Sequence, residues 1–243
     1  MGLFGRSKEK KTCCACGKEL GLLGKRKLED GYVCKDCASQ LSPWFSERRK
    51  STCNDIINQL AYREANKAEV AVFNPTLTLG GNTKVYIDEA AGKFFVTSQS
   101  RWRDANPDVI ELSQVTGCDY NVDESRTELK REMPDGTEQS YNPPRYDIDY
   151  DFYVTINVNS PWFDDIHFKV NSSRIENLHS AEYQNTERQA QEISAALMGA
   201  RNQVRETIAA ANAPRMAAIC PNCGATCIPD ANGRCEYCGG AMF

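Results

Sequence analysis

The sequence predicts an α+β protein in which an antiparallel β-barrel, closed by a C-terminal helix, stands between two small four-cysteine modules. Three observations carry that expectation. Eight of the 12 cysteines fall into four Cys-x-x-Cys pairs, two near each end of the chain. Between them, short apolar runs alternate with period two and are separated by turn residues. A last stretch, from about Ala181 to Ala211, has no proline and a single glycine, Gly199, with apolar residues at helical spacing.

Composition sets the bounds. The chain has 243 residues, 41% hydrophobic and 26% charged, with a formal net charge of -4. Its apolar runs fall far short of the ~20 residues that cross a bilayer, so no membrane insertion is expected. No apolar segment follows the basic start Met1-Gly2-Leu3-Phe4-Gly5-Arg6-Ser7-Lys8, which argues against a secretory signal and for a cytoplasmic setting. Met1-Gly2 does not make a myristoylation motif, because Arg6 stands where Ser or Thr is needed. Two histidines leave little room for a His-rich catalytic metal site.

The cysteine pairs come first in the chain and in weight. Cys13/Cys16 and Cys34/Cys37 have 17 residues between them, and Cys220/Cys223 and Cys235/Cys238 have 11. Each pair forms a tight turn that offers two sulfurs to one ion, and two pairs make a tetrahedral four-thiolate zinc site. Gly17, Gly224 and Gly239 each follow a second cysteine, where a positive φ lets the backbone curl around the metal. Four thiolates leave no position for water, so both zinc ions are expected to be structural. A disulfide framework would need an oxidising compartment. A redox Cys-x-x-Cys needs only one pair, beside a parallel sheet. Of the other four cysteines, Cys14 and Cys227 lie beside ligands and could substitute for them, and Cys53 and Cys118 read as small packed side chains.

The remaining elements follow in order. Residues 1–45 form the first zinc ribbon with its basic arm, ending at Ser42-Pro43-Trp44-Phe45. Residues 46–74 hold a linker helix opened by a capping box, Thr52-x-x-Asp55, with Ile56, Ile57, Leu60 and Ala61 at helical spacing; Asn74-Pro75 ends it. Residues 75–213 are the barrel and its helix. Val85 and Ile87 turn at Asp88–Gly92 and return as Phe94-Phe95-Val96; short strands follow at Val109–Leu112 and Gly117–Tyr120. Pro134-Asp135-Gly136 turns a second hairpin, between strands at Arg126–Met133 and Thr137–Tyr141. Tyr146, Ile148, Tyr150, Phe152, Val154, Ile156 and Val158 then alternate without a miss, and Ile166, Phe168 and Val170 line the last strand. About seven strands result, with Gly80-Gly81 as a loop before the first. Ala190, Ile193, Leu197, Val204 and Ile208 form the stripe of the closing helix, which Pro214 stops before the second zinc ribbon, residues 214–243. Seven strands capped by one helix resemble the pleckstrin-homology-like (PH-like) barrel, a fold that does not by itself define a function.

The pattern of charge and motifs points away from an enzyme. No Gly-rich phosphate loop, His-Glu-x-x-His helix or Gly-x-Ser-x-Gly elbow is present. Asp147-x-Asp149-x-Asp151 has the opening spacing of a calcium loop but lacks its glycine and late glutamate, and lies on an alternating strand. A non-enzymatic adaptor or scaffold that binds a protein partner is the reading preferred, with Trp44, Phe45 and Trp162 as candidate anchors and no cofactor besides two zinc ions. The long helix could also pair two copies of the chain. The alternative is nucleic-acid binding through the N-terminal module. Residues 1–50 carry +6, residues 51–219 carry -9 and residues 220–243 carry -1, and Lys25-Arg26-Lys27 sits between the two ligand pairs.

Three segments add a resemblance. They are Cys13-x-x-Cys16-Gly17-Lys18 with Leu20-Gly21-Leu22-Leu23-Gly24; Leu28-x-Asp30-Gly31-Tyr32-x-Cys34-x-x-Cys37; and the tail Cys220-Pro221-x-Cys223-Gly224 with Gly233-x-Cys235-Glu236-Tyr237-Cys238-Gly239. Leu41-Ser42-Pro43-Trp44-Phe45 and Tyr62–Lys67 extend it. This pattern resembles an uncharacterised bacterial family with an N-terminal zinc-ribbon domain of unknown function. The resemblance implies zinc at the eight paired cysteines and a bacterial cytoplasmic setting, and supplies no activity.

Overall fold

The computed structural model describes residues 11–21, 24–212, 216–230 and 232–242; the Met1-Gly2 start, the basic residues up to Lys10, and Pro214 lie outside them. The chain divides into two compact units, Met1–Asn202 and Gln203–Phe243.

The first unit opens with a short hairpin, β1 (Lys25–Lys27) and β2 (Tyr32–Cys34), followed by one helical turn, α1 (Lys35–Ala38). Leu28 and Val33 of this module are fully buried and meet Ile56 from α2 (Cys53–Val72). The start of α2 is the expected capping box: the Thr52 hydroxyl accepts from the Asp55 amide, and the Asp55 carboxylate accepts from the Thr52 amide. The buried stripe of the helix is Ile56, Gln59, Arg63, Asn66 and Val70, with Ile57 turned outward at 45% exposure. Its two apolar ends serve different neighbours. Ile56 packs on the first module, whereas Val70 and the following Phe73 pack on Phe95 and Trp102.

The polar middle of that stripe is a bolt. Arg63 donates to the Asp108 carboxylate at 2.7 Å, with the arginine 10% and the aspartate 0% exposed. The Ser42 hydroxyl donates to the other Asp108 oxygen at 2.8 Å. Asn66 donates to the Pro107 carbonyl at 2.7 Å and accepts from the Val109 amide at 2.9 Å. Burial pushes the Asp108 carboxyl up, while Arg63 and Ser42 pull it down.

Beyond α2 come two antiparallel sheets. The first is the meander β3 (Leu77–Gly80), β4 (Lys84–Asp88), β5 (Lys93–Thr97) and, after a turn of helix α3 (Trp102–Ala105), β6 (Ile110–Glu111). The second is β7 (Val115–Glu132), β8 (Glu138–Val158) and β9 (Asp165–Lys169). These are seven strands among the described residues, in a different division from the one expected. Gly80-Gly81 is a hairpin turn, not a leader, because Leu77–Gly80 already pairs with β4. The expected strands at 117–120 and 126–133 are one continuous strand, as are 137–141 and 146–158. The expected closed barrel is also corrected. Among the described residues no strand of one sheet pairs with a strand of the other. Two features keep them apart: β6 is only two residues long, and a 3-10 turn, Leu112–Gln114, follows it at once.

The core of the second sheet is Tyr150, Phe152, Val154 and Ile156, all buried. Helix α4 (Ala181–Ala211) lies on it through Ala190, Ile193 and Leu197, and Ser194 donates to the Cys118 carbonyl at 2.5 Å. Tyr183 meets Tyr150 and Phe152 edge-on. The far halves of β7 and β8 run on past this core as an exposed two-stranded ribbon turned at Pro134-Asp135-Gly136, where Gly136 has a φ of 78°. In the second unit, β10 (Ala218–Ile219) and β11 (Thr226–Cys227) form a minimal hairpin.

The Arg63–Asp108 pair is the test of this arrangement. Removing one member of a buried ion pair strands the other charge, so Asp108→Asn should cost about 3–5 kcal/mol in chemical denaturation. The double variant Arg63→Met/Asp108→Leu should recover much of that loss, since it leaves no stranded charge.

Candidate metal centres

Cys13, Cys16, Cys34 and Cys37 converge so that their sulfurs all lie within 4.8 Å of one another, and Cys220, Cys223, Cys235 and Cys238 do the same. Local backbone chemistry explains each turn. At Cys13 the Gly17 amide donates to the Cys13 carbonyl at 2.8 Å and the Cys13 amide to the Lys18 carbonyl at 2.9 Å. The tail repeats the device twice, Gly224 to Cys220 and Gly239 to Cys235, both at 2.9 Å. All three glycines have the positive φ expected of them: 73°, 73° and 68° for Gly17, Gly224 and Gly239. The fourth turn is built differently. Cys34 is the N-cap of α1 and its sulfur accepts from the Cys37 amide at 3.2 Å, so a helical turn, needing no glycine, does the work.

The donor sets fit a tetrahedral ion. Sulfurs held at about 2.3 Å from one centre stand about 3.8 Å apart. Cys16 and Cys34 are 3.8 Å apart, and Cys220/Cys238 and Cys223/Cys235 are each 3.6 Å apart. These separations far exceed the ~2.05 Å of a disulfide, and all 12 cysteines are free thiols. Amide donors also favour thiolate. Burial acts to raise the Cys13 thiol, yet the amides of Cys34, Cys16 and Ala15 bring it down to about 6. The amide of Cys238, against burial and with help from that of Tyr237, holds Cys235 at about 6. In each cluster these amides favour the thiolate form that a metal ion requires. Each of the two groups could hold a metal ion.

The remaining four cysteines are not members of the two four-sulfur sets. Cys227 lies behind the tail cluster, 3.5 Å from the Cys235 sulfur and 3.5 Å from that of Met242. Cys14 joins the packing of the first module beside Cys53. Burial pushes Cys53 up to about 12 and Cys118 up to about 11, both far from a nucleophile's range. His167 bonds Thr155 at 2.9 Å and stacks on Tyr153, with neither thiol beside it in that arrangement. Asp147 and Asp149 meet Arg174 at 2.5 and 3.6 Å, and Asp151 pairs with Lys169, so the aspartate run is an ion-pair ladder.

Two surfaces take shape from residues that the sequence left scattered. Lys11 donates to the Tyr32 hydroxyl and stands 4.1 Å from its ring centre, and Lys25 stands 5.6 Å from the same centre. Lys11 holds the Tyr32 hydroxyl below its ordinary range, while burial, then Arg26 and Arg49, lower Arg48. The second surface is concave. Trp44 and Phe45 come together with Trp162 in one cleft of about 420 Å³. Their carboxylate neighbours Asp164 and Asp165 were not singled out from the sequence, although they adjoin Trp162-Phe163. Nor was Asp108; a buried aspartate in Asn106-Pro107-Asp108 reads locally as a turn residue.

A family model described as a domain of unknown function (DUF4428) matches residues 12–59. That span covers the first cysteine cluster and the start of α2. No curated protein and no solved structure matches the chain.

Metal content should be two ions per chain by elemental analysis. Cys16→Ser or Cys223→Ser should each lose one ion, while Cys14→Ser and Cys227→Ser keep both. Acid should act by protonating the sulfurs, because only the thiolate binds the ion and proton and metal compete for it. A chromophoric chelator should therefore report faster release as pH falls, and unchanged release from pH 8 to pH 4 would refute the thiolate assignment.

Proposed function

We propose that the chain is a non-enzymatic adaptor or scaffold that binds a protein partner, with one structural zinc ion in each cysteine cluster. Zinc is favoured by the all-thiolate tetrahedral donor sets, which leave no coordination position for water or substrate. Raised thiols at Cys53 and Cys118 and a stacked, hydrogen-bonded His167 support a chain without a catalytic nucleophile. The order of strands, a four-stranded meander, a three-stranded sheet and a helix lying on the latter, supports a PH-like scaffold left open between its sheets. No helix among the described residues is long and apolar enough to cross a membrane, and a reducing cytoplasm suits twelve free thiols.

The observation that carries the adaptor reading is the cleft. Three aromatic rings from segments more than a hundred residues apart in sequence meet in one concavity. Half-buried aromatics in such a cleft are the residue types that dominate binding energy at protein interfaces. Affinity purification from the native host tests it directly: a partner retained by the wild-type chain and lost on Trp44→Ala is expected, with metal content and melting unchanged as the control for folding.

A second reading rests on the basic face of β1 and β2. Lys11 and Lys25 gather at Tyr32, with Arg26 and Arg49 each near Arg48, a grouping suited to a nucleic-acid backbone. It predicts binding to random-sequence RNA or DNA at low salt that weakens steeply as salt rises and drops in Lys25→Glu/Arg26→Glu. Undetectable binding at 50 mM salt would remove this reading.

A further inference from the structure

The cleft that gathers Trp44, Phe45 and Trp162 has a chemical character that narrows its partner. Its other charged lining residues are all acidic: Glu47, Asp55, Asp164 and Asp165, with no lysine or arginine among the described lining residues. Two of these carboxylates are already engaged. Glu47 meets Lys50 at 2.6 Å, and Asp55 is held in the capping box by Thr52. Asp164 and Asp165 are exposed and have no ion pair among the described residues. They stand at the start of β9, where the Asp164 carbonyl accepts from the Val158 amide at 2.8 Å. We infer that this cleft receives the lysine or arginine side chains of a basic segment in a protein partner; the inference rests on the adaptor reading above and names the chemistry of that partner.

Three arguments favour a cation over an apolar or anionic occupant. Aromatic faces attract cations through their ring quadrupole, most strongly tryptophan and most often with arginine. The unengaged carboxylates supply a second attraction of the same sign, which an anion would meet as repulsion and an apolar group as uncompensated desolvation. Finally, the walls are held in place before binding. The Trp44 amide donates to the Ser42 hydroxyl oxygen at 3.1 Å, and that hydroxyl donates to buried Asp108. The Trp162 ring leans on Tyr62 of α2, centroids 5.9 Å apart. A cleft held open from both sides spends little of its binding energy on ordering itself. Its volume of about 420 Å³ lies within the range of specific ligand pockets and suits a few side chains, not a folded domain.

The test uses the full metal-loaded chain and short fluorescent peptides of arginine and glycine, with lysine and glutamine counterparts of equal length. The arginine peptide should bind most tightly, the lysine peptide next, and the glutamine peptide not measurably. Asp164→Asn/Asp165→Asn, exposed positions whose loss leaves the packing intact, should weaken the arginine peptide about tenfold or more, as should Trp162→Phe to a lesser degree. Equal binding of the glutamine peptide, or equal affinity in the Asp164→Asn/Asp165→Asn chain, would overturn the inference. A host partner retained equally by wild type and by that double variant would also overturn it while leaving the adaptor reading intact. No retained partner and no peptide binding would overturn both.

Discussion

The buried carboxylate of Asp108 is the constraint from which the arrangement of the first unit follows. One of its oxygens takes Arg63 from the middle of α2, the other takes Ser42 from the segment after the first cysteine module. A charge at 0% exposure tolerates neither water nor a missing partner, so these bonds specify one placement of three chain segments. Apolar contacts alone would specify less, because Ile56 and Val70 at the two ends of α2 could slide on their neighbours at small cost. Through Ser42 the constraint reaches the Trp44 amide, and so the aromatic cleft. The polar centre of a helix thus determines where an aromatic side chain stands in a loop.

The two cysteine clusters contribute unequally to their surroundings. The first is backed by a small apolar core, in which Leu28, Val33 and Leu41 meet Ile56 of α2. The second has almost nothing else: its buried cluster is Cys220, Cys227, Cys235 and Met242. Three of those four residues are cysteines, two of them members of the four-sulfur set, so little apolar core would hold the module folded without an ion. Structural zinc contributes on the order of 10 kcal/mol or more to such modules, which is comparable to the whole stability of an ordinary domain.

How much could be read from the sequence depended on how local the cause was. The four Cys-x-x-Cys turns were legible because spacing encodes each one within five residues, helped by a following glycine at three of them, and the structure gathers the same eight sulfurs in two sets. The capping box at Thr52 and Asp55 was legible for the same reason. The apolar spacing read in α2 stops at Ala61 because the buried stripe is polar at Arg63 and Asn66; hydrophobic periodicity cannot see a face buried by hydrogen bonds. In β8 the apolar face was legible and its burial was not. Tyr146 to Val158 alternate as expected, yet burial begins only at Tyr150, and Tyr146 is 52% exposed on the projecting ribbon. Alternation reports which face is apolar and is silent on how far the covering layer extends. The open barrel has a similar origin, since strand count is local but the pairing of a sheet's last strand with another sheet is not.

Charge gives the first unit a polarity that bears on how a partner would arrive. The segment ending at Ser51 presents lysines and arginines around Tyr32 and Arg48, then supplies Trp44, Phe45 and Glu47 to an acidic cleft. Exposed charges interact over about 8–10 Å at physiological salt, and Lys50 meets the cleft residue Glu47 at 2.6 Å, so the two fields adjoin each other. A purely basic partner is drawn to the cleft and repelled by the hairpin, and a polyanion experiences the reverse. That opposition restricts the orientation of an encounter before any contact forms, which is where electrostatics contributes most to recognition. A partner with acidic residues flanking its basic segment would satisfy both surfaces at once, whereas uniform charge of either sign would satisfy only one.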